Sequence, residues 1–405
     1  MKSWSNPNWD EMQIESNYLE SQNLNLFDSS TNQIKPLEKS NEVGIYVCGI
    51  TPYDSAHLGH AFTYLTFDSI LRILKFLGKK VNYVQNLTDI DDPLFERARK
   101  TNSNWQEIVE TQTEIYREDM KALNIFAPNH FLSVNENVKL IVDNIESLIE
   151  KNSTYKLQEN LYFKLNESNK SQLIEKMSSE ELIVLASERG CDTQTEGKIN
   201  AIDPILWRKS ENDEPEWITN FGTGRPGWHI QCVSLAKKYL NFPINIQGGG
   251  QDLLFPHHAM CDEISKSLNI RNYASNYLHV GMVGYQGSKM SKSKGNLVFV
   301  HDLLEKGIHS NVLRFMLLNH YWHNDWEYFE SDIEKYEYLY QKIENRLKDK
   351  YISFEDFQIL FSYLLNNLDF PKSFEFLKDI RTHEYDEKLV SLNSLMNNLY
   401  GLKIS

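Results

Sequence analysis

Residues 44–60, GIYVCGITPYDSAHLGH, constrain the fold more than any other stretch. Gly44 to Val47 is a short apolar run bounded by turn residues, which reads as a buried strand. It leads into Cys48-Gly49 and then a loop marked by Pro52 and Asp54. After His57-Leu58-Gly59-His60, the residues Phe62, Leu65, Ile70, Leu74 and Leu77 recur at helical spacing, and Gly78 ends the helix. VNYVQNL, residues 81–87, reads as a second strand. Strand, helix and strand form a βαβ unit, which implies a parallel sheet with ligands at the carboxyl ends of its strands. The start of the helix offers free N–H groups and a positive dipole end, a setting that suits phosphate. Cys48 at the strand end adds a thiol to the same stretch.

The remainder of the 405 residues is too long for a single core. Residues 1–43 read as a polar arm and 44–125 as the first half of a Rossmann-like domain. The α/β rhythm then lapses, so 126–200 reads as an insertion. Alternation returns over 201–285, with a helix near 228–240, the strand INIQGGG at 244–250, a helix near 256–268 and the strand NYLHVGMV at 276–283. A lysine-rich loop and linker occupy 286–325, and 326–405 reads as a helical domain. From residue 325 onward there are sixteen Asp or Glu against ten Lys or Arg. The expected fold class is therefore α/β: a parallel sheet split by an insertion and followed by a helical domain.

The formal net charge of −14 argues against generic binding to nucleic acid or to an anionic membrane. No stretch reaches the ~20 apolar residues of a membrane span. The opening, MKSWSNPNWDEMQIES, lacks the apolar core of a signal peptide, so a cytoplasmic location is expected. The four cysteines (Cys48, Cys191, Cys232, Cys261) are then free thiols or metal ligands.

Three constellations carry chemistry. In HxGH, His57 and His60 flank a glycine that lets phosphate approach the backbone, while the rings can donate to developing charge. By itself this pattern also fits a pair of capping histidines. KMSKSKGN, residues 289–296, places Lys289 and Lys292 on a small cationic loop suited to a polyphosphate, or simply solvated. Cys48, Cys232 (in GRPGWHIQC) and His257 (in GGGQDLLFPHH) each fall at a strand end or helix start of the same sheet. Two thiolates and an imidazole suit Zn²⁺ and leave one position for a substrate. Cys261 lies at i+4 from His257 and reads either as a fourth ligand or as a small buried residue.

The pairing of HxGH with KMSKS resembles the signature of the class I aminoacyl-tRNA synthetase catalytic domain. With Cys48, Cys232 and His257 in place, the resemblance narrows to cysteine-activating members. It implies zinc bound to the substrate thiol and Mg²⁺ accompanying ATP. It also implies that Cys48, Gly49, Ile50, Thr51, Thr63, Asn86, Leu87, Thr88, Trp228, Gly250, Gln251, Asp252 and Val283 line the cysteine and adenylate pocket. His57, His60, Lys289 and Lys292 would stabilise charge on the phosphates. Asp252 is a candidate base, with a helix-capping aspartate as the alternative.

Within that family the chain resembles the cysteine ligases of mycothiol biosynthesis more than cysteinyl-tRNA synthetases. TPYDSAHLGHAFTYLTFD carries Pro52 where synthetases have Val. YVQNLTDIDDPLFERA at 83–98 and ERGCDT at 188–193 are similar to ligase motifs. Cys191, Thr193 and Gln251 depart from them. The resemblance implies ATP, L-cysteine and glucosaminyl-inositol as partners, a monomer, and no role for tRNA. Charging of tRNA(Cys) is the alternative, and a non-catalytic binding protein is a third reading.

Overall fold

The computed structural model describes residues 1–166, 170–189, 191–291 and 294–404. Its centre is a five-stranded parallel sheet. The strands are β1 (Glu42–Val47), β2 (Lys80–Leu87), β3 (His130–Ser133), β4 (Ile246–Gly250) and β5 (Tyr277–Val280), arranged in the order β5-β4-β1-β2-β3. Ile45 pairs with Ile246 on one side and with Tyr83 on the other. The inner strands are buried along most of their length, as expected for a sheet covered on both faces. Strand order reverses between β1 and β4. A crevice therefore opens at their carboxyl ends, and ligands bind at such switch points.

The sequence expectations hold for β1, β2 and the intervening helix α1 (Leu58–Phe76). The strand expected over 276–283 is split. Only Tyr277–Val280 joins the main sheet. The chain turns at Gly281, where an added Cβ would lie 2.2 Å from the Asn324 carbonyl oxygen. Val283 then opens a separate three-stranded sheet with Ser288–Lys289 and Trp326–Tyr328.

The insertion expected over 126–200 is bracketed differently by strand pairing. His130–Ser133 pairs with β2 and belongs to the central sheet. A second sheet combines 154–157, 160–163, 205–208, 217–219 and 222–226, so it extends well past residue 200. Helix α3 (Ser179–Glu188) starts with a capping box between Ser178 and Glu181. Helix α2 (Asp92–Thr101) follows β2, α4 (Trp228–Tyr239) precedes β4, and α5 (Ala259–Ser267) follows β4. Among the described residues no helix is long and apolar enough to cross a membrane.

Helix α1 is buried on most sides, including the polar Thr66, Asp68, Ser69 and Arg72. Thr66 and Ser69 hydroxyls donate back to Phe62 and Leu65 carbonyls, each at 2.9 Å. Asp68 lies between two guanidiniums. Arg72 Nε donates to its Oδ2 at 2.7 Å, and Arg314, on α6 (Ser310–Leu318), donates to the same oxygen. Asp68 Oδ1 accepts the Phe126 N–H at 2.8 Å. The two arginines spend their remaining donors on carbonyls of Leu123, Asn124, Asn397, Asn398 and Tyr400. The Arg314 guanidinium is pulled down to about 10 by burial, against the attraction of Asp68. This cluster ties α1 to the C-terminal segment.

Removing one partner of such a cluster leaves uncompensated buried charge. Asp68→Asn is expected to cost about 3–5 kcal/mol in denaturant unfolding. A loss under about 0.5 kcal/mol, the range of ordinary surface changes, would show that the cluster does not hold α1.

Candidate active site and metal centre

β1 delivers Cys48 to the crevice, and the turn behind it depends on close backbone approach. A Cβ on Gly49 would lie 1.5 Å from the Asn86 carbonyl oxygen, so only glycine fits. The Asn86 side-chain oxygen accepts the Gly49 N–H and the Tyr46 hydroxyl, both at 3.1 Å, and faces Cys232 Sγ at 3.8 Å. Its nitrogen donates to Thr88 Oγ1 at 2.9 Å. The Thr88 N–H donates to the Ile50 carbonyl at 2.9 Å. Asn86, Leu87 and Thr88 are therefore all buried structural members of the crevice wall.

Three side chains converge here as the sequence spacing predicted. The ligand atoms of Cys48, Cys232 and His257 all lie within 4.8 Å of one another, and all three residues are buried. Cys232 comes from the first turns of α4, and His257 from the irregular helical turns that lead into α5. His257 Nε2 is 3.3 Å from Cys232 Sγ. Burial pushes the Cys48 thiol well up, and its hydrogen bond to Cys232 adds to this. Cys232 is held well below the usual thiol range by that hydrogen bond and by His257. Two soft sulfurs and an imidazole nitrogen are a donor set that fits a metal ion.

Cys261 stands beside this triangle and outside it. Its sulfur is 3.9 Å from His257 Nε2 and donates to the His229 carbonyl at 3.6 Å. Burial pushes its thiol well up. Trp228 stacks on His257, with centroids 4.2 Å apart at 22°.

Several residues of the site are missing from the sequence-based set. His229 Nδ1 faces His257 Nδ1 at 3.0 Å, so the two share one proton, and its placement on His257 Nδ1 is the one that leaves Nε2 for the triangle. His258 Nε2 is 3.2 Å from Cys48 Sγ, and its Nδ1 is 2.7 Å from His279 Nε2. Gln247 Nε2 lies 3.6 Å from Cys48 Sγ and 3.1 Å from His258. A glutamine inside the strand run INIQGGG was a usable signal for Gln247. Arg189, at the end of α3, donates to the carbonyls of Asp252 (2.7 Å) and Phe255. It joins the insertion to the turn that carries Asp252.

The phosphate side of the site lies at the start of α1. His57 caps the helix, with Nδ1 accepting the Gly59 N–H at 3.1 Å, and its ring lies 3.9 Å from that of His60. Burial holds His57 well below its ordinary value, with His60 and Lys289 adding to this. Burial likewise brings His60 down to about 4, opposed by Asp252. Both rings are neutral at pH 7. Among the described residues, the buried His60 Nδ1 has no hydrogen-bond partner. Lys289 Nζ pairs with Asp252 Oδ2 at 3.0 Å. Lys292 lies outside the described residues.

The other expected pocket residues are spread more widely. Thr51 Oγ1 donates to Asp91 Oδ2 at 3.0 Å, beside the crevice. Gly250 ends β4, and the exposed Gln251 begins the turn after it. Thr63 Oγ1 is spent on the Gly59 carbonyl within α1, and Val283 sits in the small sheet described above.

The family described as tRNA synthetases class I (C) catalytic domain matches residues 33–337. A protein from Frankia casuarinae named L-cysteine:1D-myo-inositol 2-amino-2-deoxy-alpha-D-glucopyranoside ligase is 42% identical over 306 residues. That match covers 75% of this chain and 66% of the relative. A protein of the same name from Renibacterium salmoninarum is 41% identical over 327 residues, covering 76% of this chain and 77% of the relative. Among solved structures, methionyl-tRNA synthetase of Mycobacterium tuberculosis in complex with methionyl-adenylate superposes with a TM-score of 0.61. Its identity is 14%, over 84% of this chain and 82% of that one, so it bears on the fold alone.

Elemental analysis of the purified protein tests the triangle. About one tightly held metal ion per chain is expected, with most of it lost in Cys232→Ala and His257→Ala. His229→Ala should weaken affinity roughly 10- to 100-fold through loss of the orienting hydrogen bond. Cys261→Ser should keep the metal; its loss there would make Cys261 a ligand.

Proposed function

This chain belongs to the class I (C) tRNA synthetase catalytic-domain family, and from that premise we propose that it is an ATP-dependent, AMP-forming carbon–nitrogen ligase. It activates L-cysteine as cysteinyl adenylate. It then couples the cysteine to the amine of glucosaminyl-inositol, the amino sugar of mycothiol biosynthesis, releasing AMP and pyrophosphate. The observation that carries this reading is the Cys48–Cys232–His257 triangle at the sheet's switch point, on the strand that leads into the His57–His60 helix start. The names of the two ligase relatives described above support the same acceptor. The absence of disulfides among the described cysteines supports a reducing compartment such as the cytoplasm.

The triangle would hold Zn²⁺ through Cys48, Cys232 and His257, and ATP would bring Mg²⁺. When bound, zinc would supply a ligand position for the substrate sulfur, which separates cysteine from serine more strongly than pocket shape does. The protein's own groups do the rest. Asn86 and Gly49 fix the strand end where cysteine sits. Trp228 closes the pocket over His257. The free N–H groups of α1 and the neutral rings of His57 and His60 donate to the α-phosphate as the cysteine carboxylate attacks in line. His60 Nδ1, which lacks a partner among the described residues, is suited to that contact. Lys289 exchanges its Asp252 carboxylate for the departing pyrophosphate, and Lys292 is proposed to assist it.

The function is tested by supplying ATP, cysteine and either glucosaminyl-inositol or tRNA. Amide formation with the sugar supports the ligase. Charging of tRNA would establish the cysteinyl-tRNA synthetase reading instead. Lys289→Ala should reduce cysteine-dependent ATP–pyrophosphate exchange about 10²- to 10³-fold, as for removal of one oxyanion donor. An unchanged rate would remove Lys289 from the site.

A further inference from the structure

The second step needs a proton acceptor, because an amine that attacks a carbonyl carbon must lose a proton. Asp252 is tied through its carboxylate to Lys289 and through its carbonyl to Arg189. Its carboxylate is thereby committed to the lysine-rich loop. Asp91 is placed differently. It ends the β2 loop and caps α2, with Oδ1 accepting the Asp92 N–H at 3.1 Å. Its other oxygen accepts the Thr51 hydroxyl at 3.0 Å. Thr51 lies three residues beyond Cys48, on the loop that the Thr88 N–H pins at Ile50.

The direction of that hydrogen bond matters. An ionised carboxylate only accepts, so the Thr51 proton is committed to Asp91. Thr51 then offers only lone pairs to the crevice, which suits an N–H donor and not a phosphate oxygen. We propose that Asp91, acting through Thr51, is the proton acceptor for the amine in the coupling step. The inference rests on the ligase reading above. The nitrogen bonds to the cysteinyl carbonyl carbon, and the bond from that carbon to the phosphate oxygen breaks, its electron pair leaving on AMP. The surplus proton on nitrogen passes to Thr51 Oγ as the Thr51 hydroxyl proton moves to Asp91 Oδ2. Asp91 later returns it to solvent. Thr51 touches the substrate; Asp91 is a positioning residue behind it.

The surroundings of Asp91 suit this work. Burial and then Asp92 push its carboxyl up to about 6, against the Thr51 hydrogen bond and the charge of Arg225. Tyr53 also lies near it, and Asp91 together with Asp54 helps burial to push the Tyr53 phenol up. Arg225 itself is shared with Asp92 and Glu214. A base with a pKa near the working pH combines the right protonation state with useful basicity.

Asp91→Asn is a clean variant, because asparagine caps a helix as well as aspartate. It should slow single-turnover amide formation from preformed cysteinyl adenylate about 100-fold, the lower range for general-base loss. Cysteine-dependent exchange should change far less. Wild-type coupling should fall as pH drops through about 6, and Asp91→Asn should lack that limb. Thr51→Ser should restore the ratio of coupling to exchange that Thr51→Val loses. Equal loss of both half-reactions in Asp91→Asn, or wild-type coupling with an unchanged pH limb, would overturn the proposal. A wild-type protein that forms adenylate but no amide would sink the sugar reading, and this inference with it.

Discussion

The side-chain amide of Asn86, 1% exposed, meets three segments at once. Its oxygen takes the Gly49 N–H of the turn after β1, the Tyr46 hydroxyl from within β1, and the approach of Cys232 from α4. Its nitrogen fixes Thr88 at the end of its own strand. A buried amide costs free energy unless its hydrogen bonds are made, so the segments are held where they satisfy it. The place of Cys48 relative to Cys232 follows from this. So does the need for glycine at 49, since the turn lies directly against the Asn86 backbone.

A second constraint fixes the other half of the site. The first turn of α1 carries His57 and His60, and its middle carries Asp68 between Arg72 and Arg314. The helix is thus gripped from the C-terminal segment while its start faces the crevice. Just after the described part of the lysine-rich loop, Val298 and Val300 exchange backbone hydrogen bonds with Leu58 and Ala56. The polypeptide that follows Lys289 is therefore strapped to the helix start that carries the histidines. Lys289 already reaches Asp252 across the crevice. The two motifs, far apart in sequence, belong to one mechanical unit.

The sequence made the central architecture legible because βαβ periodicity and turn residues are local signals. β1, α1 and β2 fall where the pattern put them. Cys48, Cys232 and His257 could be chosen because each sits at a strand end or helix start of one sheet, and the three converge as expected. Residues whose role depends on facing were not legible. His258 and His229 adjoin assigned residues, and spacing alone does not say which ring meets which sulfur. Arg189 acts on backbone carbonyls of a distant turn, a contact with no sequence signature. The break at Gly281 was hidden because NYLHVGMV, from Tyr277 to Val283, carries no turn signal other than the glycine itself, and the close approach of the Asn324 carbonyl is a distant contact. Pairing of His130–Ser133 with β2 escaped notice because four residues are too few to show a period.

The central claim is that the thiol of a free cysteine completes the Cys48–Cys232–His257 centre. X-ray absorption at the zinc edge reads the number of sulfur neighbours directly. Two are predicted for the protein alone, from Cys48 and Cys232, and three once L-cysteine is added, with serine leaving the count at two. A sulfur count that does not rise with cysteine, or a metal without two protein sulfurs, would contradict the account.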